Sequence, residues 1–175
     1  ERYRVLGVDQ IRQVKEKYGI DQPFFLSVGS VPRKNIDRII SAFVTCQFTK
    51  DYKLILNCSM DVDKYKALAK EKGVEQQVKF ISSVSDDDLV ALYNGCHCFL
   101  FPSLYEGFGL PILEAMNCGA PVITSNLSAC PEVSGDAALL VDPGNVEEIC
   151  GAINQICRNE RLRQDLIKKG FERAK

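Results

Sequence analysis

The run Phe24-Phe25-Leu26-Ser27-Val28-Gly29-Ser30-Val31-Pro32-Arg33-Lys34-Asn35-Ile36-Asp37-Arg38-Ile39-Ile40-Ser41-Ala42-Phe43 changes its hydrophobic period once, and that change decides the fold class. Phe24–Val28 is apolar on both faces, as in a strand covered on both sides by helices. From Lys34 to Phe48 the apolar residues Ile36, Ile39, Ile40 and Phe43 recur at spacings of three and four, one stripe of an amphipathic helix. Gly29 sits at the junction, where a glycine lets the backbone turn sharply.

The same alternation continues outward through the chain. Further strands are expected at Lys53–Asn57, Gln77–Ile81, Cys98–Phe101, Pro121–Thr124 and Ala138–Val141. Ser85 is expected to cap a helix running to Asn94, with Asp88 at its third position as in a capping box. Asp86, Asp87 and Asp88 then favour the positive end of that helix. Pro111 suits the first turn of another helix and Gly119 the residue just past its end. Val146–Cys157 and Arg161–Ala174 read as two amphipathic helices. The result is an α/β fold with a single doubly wound, Rossmann-like parallel sheet of six strands. Its default strand order is 3-2-1-4-5-6 with right-handed crossovers.

Composition sets outer bounds. The 175 residues are 46% hydrophobic and 26% charged, ordinary for one globular domain. Twenty-two basic residues balance 23 acidic ones, so no basic face for nucleic acid is expected. No apolar run approaches the roughly 20 residues of a membrane helix. Eight cysteines are scattered through apolar segments and read as buried hydrophobes in a reducing, cytoplasmic setting. Cys96-His97-Cys98 invites a metal reading. Strand alternation would instead send His97 to the face opposite both thiols, and no second Cys pair completes a tetrahedral site.

In a doubly wound sheet, ligands bind beyond the carboxyl ends of the strands where the order reverses, here after Val28 and after Phe101. The first of these loops, Gly29-Ser30-Val31-Pro32-Arg33-Lys34-Asn35, places two cations at a helix start, where they oppose the helix dipole. Either they form a solvated basic pair or they await an anionic ligand. The second, Pro102-Ser103-Leu104-Tyr105-Glu106-Gly107-Phe108-Gly109-Leu110-Pro111, sets two glycines before a helix N-terminus. Free N–H groups there make an anion site. Glu106 lies beside it. Glu114 is more than a turn into that helix and faces either the mouth, as an acceptor for hydroxyls, or solvent.

The segment EGFGLPILEAMNCGAPVI, with Glu106 and Glu114 as an E-x7-E pair, together with SVGSVPRKN, resembles the C-terminal donor domain of glycosyltransferase family 4. Members of that family are retaining enzymes of the GT-B fold. The likeness runs from PFFLSVGS through VKFISSVSDDDLVALY and ACPEVSGDAALLVDP to the last helix, so residues 1–175 are expected to form the C-terminal half of a GT-B fold. The resemblance implies a nucleotide diphosphate sugar lying across the carboxyl edge. Arg33 and Lys34 would pair with the pyrophosphate beside Gly29 and Ser30. The N–H groups of Gly107, Phe108, Gly109 and Leu110 would hold phosphate and sugar. Glu106 would meet the sugar near its anomeric carbon, and Glu114 the ribose hydroxyls. Arg33, Lys34 and Glu106 are thus the implied catalytic group. Val84 and Ser85, with Leu89 and Tyr93 behind them, would border the base, although Tyr93 and Leu89 read more readily as core. Thr124–Val133 opens on the same rim and reads as a structural turn.

No metal or other cofactor is implied. The resemblance also implies an N-terminal acceptor domain that these residues do not contain, an isolated half with little activity, and membrane contact at the inner face only through such missing parts. Mannosyl and glucosyl donors on guanosine, uridine or adenosine are all compatible. A stand-alone nucleotide-sugar sensor would need the same residues. A dinucleotide oxidoreductase is disfavoured, because VGSVPRK lacks G-x-G-x-x-G. A sugar epimerase or phosphorylase of similar fold is a nearer alternative, against which the PRKN and EGFGLP loops weigh.

Overall fold

The computed structural model describes residues 2–175. Six parallel strands, β1 (Phe24–Val28), β2 (Lys53–Asn57), β3 (Val78–Ile81), β4 (Cys98–Phe101), β5 (Val122–Ser125) and β6 (Ala138–Val141), form one sheet in the order β3-β2-β1-β4-β5-β6. The expected order holds, and every strand lies within a residue of its expected span. The helices are α1 (Val8–Lys17), α2 (Ile36–Thr45), α3 (Val62–Glu71), α4 (Asp86–Gly95), α5 (Leu110–Asn117), α6 (Cys130–Ser134), α7 (Val146–Arg158) and α8 (Glu160–Arg173).

Side chains alternate across the strands into two cores. Phe25, Leu54, Leu56, Cys98, Leu100 and Ile123 pack against α2, α3 and α7. Phe24, Leu26, Val28, Ile55, Phe99 and Phe101 pack against α4, α5 and α6, with Val14 of α1 alongside. Between β1 and β4 the connections change faces, which opens a crevice at the carboxyl ends of those two strands.

Three details differ from expectation. The helix expected over Lys34–Phe48 is interrupted. Pro32–Lys34 forms a single 3-10 turn, Asn35 turns left-handed at φ 65°, and α2 begins only at Ile36. The break follows from the Asn35 side chain, which is buried and donates to the carbonyls of Pro102 (2.9 Å) and Pro143 (2.7 Å). At α4, Ser85 caps as expected, its Oγ accepting from the Asp88 N–H at 3.2 Å. The reciprocal half of the box is absent, because the Asp88 carboxylate accepts instead from Lys17 Nζ (2.6 Å) and Tyr18 Oη (2.8 Å), fastening α1 to α4.

His97 also departs from expectation. Cys96 belongs to the α4-side core and Cys98 to the α2-side core, while the His97 ring packs edge-on against Phe25 and beside Tyr52. The cause is that Cys96 caps α4 and lies outside the strand, so strand alternation does not relate it to Cys98. All eight cysteines are free thiols, six of them buried. Among the described residues, no group of three or more His, Cys, Asp or Glu side chains is arranged to hold a metal ion. Among the same residues, no helix is long and apolar enough to cross a membrane.

Candidate functional site

At the end of β1, Gly29 adopts φ 107°. A Cβ there would stand 2.8 Å from Lys34 Cγ and 3.0 Å from Cε, so the absence of a side chain is what lets the Lys34 stem lie along the strand end. Laid there, Lys34 Nζ reaches Glu106 Oε1 at 2.6 Å and sits 4.2 Å from the centroid of the Phe101 ring. Both side chains are nearly buried, 11% and 8% exposed. Lysine, glutamate and aromatic face form one unit across the β1–β4 crevice. Taking two charges out of water to make a pair costs about as much as their attraction returns, so fold stability alone explains the pair poorly.

The two loops are tied together independently of that pair. Leu104 N–H donates to the Arg33 carbonyl at 2.8 Å, and Asn35 bridges to the loops after β4 and β6. Ser30 Oγ accepts from the Ser59 N–H at 2.7 Å, which adds the loop after β2. Arg33 itself is exposed, and its guanidinium has no acceptor among the described residues. It is free to turn over the crevice.

Gly109 is the N-cap of α5 at φ 89°, and Pro111 occupies the first turn, as the sequence implied. Among the described residues, none accepts a hydrogen bond from the N–H groups of Gly107, Phe108, Gly109 or Leu110. A Cβ on Gly107 would meet nothing within 4 Å, so the backbone there lies open to approach. The four N–H groups and the positive end of α5 thus directly follow Glu106, whose partner is the Lys34 ammonium, a setting suited to an anion. Tyr105, Phe108 and Leu110 stand exposed along the same segment.

Glu114 resolves towards the protein. It is half-buried between α4 and α5, where the Tyr93 hydroxyl donates to its Oε2 at 3.4 Å. Burial raises its pKa above the ordinary carboxylate value, against hydrogen bonds from Tyr3 and Tyr93 that lower it. Tyr93 is fully buried, a core residue whose hydroxyl serves the site edge. Val84 and Leu89 are partly buried against the same core at the start of α4. Thr124–Val133 does more than turn: after Ser128 at φ 56° it enters the short helix α6, and Cys130 packs beneath the crevice.

The structure thus gathers Gly29, Ser30, Lys34, Glu106 and the Gly107–Leu110 backbone at one mouth. Glu114 and Val84 lie along the adjoining α4 side. Sequence reasoning did not find the role of Asn35, which lay within the quoted PRKN run and whose signal was an asparagine at the break of a helical stripe.

A family model described as glycosyl transferases group 1 matches residues 9–173. The O-antigen chain mannosyltransferase B of Escherichia coli is 38% identical over 168 residues, which span 93% of this chain and 44% of that protein. The serotype-specific mannosyltransferase WbdA of Escherichia coli is 36% identical over 167 residues, 91% of this chain and 20% of that protein. Among solved structures, Anabaena Alr3699/HepE in complex with UDP and glucose superposes with a TM-score of 0.87 at 23% identity, covering 99% of this chain and 49% of that one. The chain thus spans less than half the length of these relatives. Its Rossmann-like sheet is that of the C-terminal domain of a GT-B glycosyltransferase, and with the match running across nearly all of its residues, the chain belongs to the group 1 glycosyl transferases.

Proposed function

We propose that the chain is the donor-binding half of a retaining, family 4 glycosyltransferase and holds a nucleotide diphosphate sugar across the carboxyl edge of its sheet. The observation that carries this reading is the nearly buried Lys34–Glu106 pair set beside the open N–H groups ahead of α5. An arriving diphosphate takes Lys34 as its counter-charge, and Arg33 folds over from solvent. The Gly107–Leu110 N–H groups hold the phosphate and sugar from the other side. Negative charge developing on the leaving diphosphate is then met by preorganised donors, a route that needs no metal. Glu106, released from Lys34, accepts from sugar hydroxyls near the anomeric carbon. Glu114 accepts from the ribose hydroxyls, and the Val84–Ser85 backbone borders the base.

Mannose is the favoured sugar, because the two curated relatives above are mannosyltransferases by name. Transfer requires an acceptor domain in the whole protein, and any contact with the inner membrane face would come through such parts. The chain alone then hydrolyses donor slowly in the cytoplasm. A stand-alone sensor would use the same residues, and the transferase relatives weigh against it.

The test is a thermal shift panel of GDP, UDP, ADP and NAD, with and without EDTA. A ligand at about a hundred times its Kd stabilises by roughly 2.7 kcal/mol. One nucleoside diphosphate should raise Tm equally in both conditions. A response to NAD alone, or one abolished by EDTA, would overturn the reading.

A further inference from the structure

Every hydrogen-bonding group of Asn35 is engaged, and three of its bonds go to prolines. Its N–H donates to the Pro32 carbonyl at 3.1 Å, and its Nδ2 to the carbonyls of Pro102 (2.9 Å) and Pro143 (2.7 Å). Its own carbonyl accepts from the N–H groups of Arg38 and Ile39, both at 3.1 Å, which starts α2. Its Oδ1 accepts from the Arg38 guanidinium at 3.0 Å. The three prolines stand one each in the loops after β1, β4 and β6.

A proline ring fixes φ at about −65°, so each loop offers its carbonyl from a stiff residue. A left-handed asparagine, 3% exposed, joins the three. The first loop carries Arg33 and Lys34, and the second carries Glu106 and the N–H groups ahead of α5. The third carries no group assigned to the ligand. Arg38 decides which way the amide faces. Its charged guanidinium claims Oδ1, which turns both Nδ2 hydrogens towards the Pro102 and Pro143 carbonyls. A reversed amide would set its oxygen against two carbonyl oxygens.

We infer that Asn35 is a positioning residue for diphosphate binding, and that Arg38 orients its amide. Together they hold the loops after β1 and β4 at their binding separation before any ligand arrives, with the loop after β6 as a third support. This rests on the assignment of Lys34 to the diphosphate in the proposed function. A frame set in advance leaves binding no loops to order, so losing it weakens affinity without removing any ligand contact.

The experiment measures Kd for inorganic pyrophosphate, and amide hydrogen exchange, on the parent chain, Asn35→Gly, Arg38→Met, their double variant and Lys34→Ala. Asn35→Gly tolerates the left-handed backbone at φ 65° and removes the side-chain amide. It should weaken pyrophosphate binding roughly five- to hundredfold, the worth of two hydrogen bonds. Arg38→Met should weaken it less, and should change nothing further in the Asn35→Gly background. The Leu104 N–H, which donates to the Arg33 carbonyl, should exchange faster in free Asn35→Gly, and pyrophosphate should slow it again. In the parent, the ligand should alter that exchange little. A general loss of stability would instead speed the strand amides as well. Should Asn35→Gly fail to fold, Arg38→Met carries the same test with Asn35 in place. Weakened binding in Lys34→Ala, with parental affinity in both Asn35→Gly and Arg38→Met, would overturn the inference alone. A parent that binds no pyrophosphate, or a Lys34→Ala variant that binds it as well as the parent, would overturn the diphosphate assignment and the inference with it.

Discussion

Replacing Gly29 with alanine tests the frame of the site. Gly29 sits at φ 107°, a conformation that side chains resist, and its new Cβ would stand 2.8 Å from Lys34 Cγ and 3.1 Å from Cδ. Those are atoms near the root of the lysine stem, so relief requires moving the whole side chain off the strand end. The backbone strain should cost about 1–3 kcal/mol. For a domain of this size, Tm should then fall by roughly 2–4 °C per kcal/mol. Displacing Lys34 also separates Nζ from Glu106 and from the anion region. Loss of one charge-assisted hydrogen bond, about 1.5–3 kcal/mol, should weaken nucleoside diphosphate binding roughly ten- to hundredfold. Thermal unfolding and calorimetric titration read the two effects separately. In a Lys34→Ala background, Gly29→Ala should still lower Tm, yet leave the already weakened affinity where it was. A Gly29→Ala variant with the parent's Tm and affinity would refute the claim that this glycine seats the lysine.

Lys34→Met should destabilise the chain by about 3–5 kcal/mol, because it strands the Glu106 carboxylate in a nearly buried position without its partner. Adding Glu106→Gln should restore much of the Tm but none of the diphosphate affinity; recovery of both would remove Lys34 from the ligand. His97 is the sole histidine of the chain, and burial, with help from the Arg163 charge, lowers its pKa. The folded state therefore resists protonation, so its contribution to stability is complete above the unfolded pKa of about 6.5 and declines as pH drops below it. Urea unfolding at pH 7.5 and 5.5 should show a loss that His97→Phe reduces; an identical loss in that variant would assign the titration elsewhere.

What the sequence disclosed follows from what each element buries. Phe24–Val28 and Cys98–Phe101 are buried along their whole length, so continuous apolar runs marked them closely. The helix α1 buries no residue fully and α3 only Tyr65 and Ala69, which leaves little periodic signal in either. The stripe from Ile36 to Phe43 fixed a helical face but carried no record of φ, and so ran through the left-handed break at Asn35. Spacing placed Glu114 on α5 without giving its direction. That direction depends on Tyr93, which reaches it from a neighbouring helix. Glycines before a helix and cations after a strand are local patterns, legible as written. The side chains that aim them are long-range partners, and no local pattern encodes those.

That division bears on how the site works. Gly29, Asn35 and Tyr93 need not touch a ligand, yet they determine where Lys34, the α5 donors and Glu114 lie. The loops after β1 and β4 are already joined by the Leu104 N–H to Arg33 carbonyl bond. Little backbone ordering is then left for binding to drive, and the principal rearrangement is an exchange of partners by Lys34. On the proposed reading, the diphosphate takes the ammonium and Glu106 loses its counter-charge in the same event. An unpaired carboxylate that is nearly buried is costly, and sugar hydroxyls are the donors at hand to relieve it. The acid is therefore made available to the sugar only when the diphosphate is in place, so a free sugar should bind weakly to a site that holds the whole donor well.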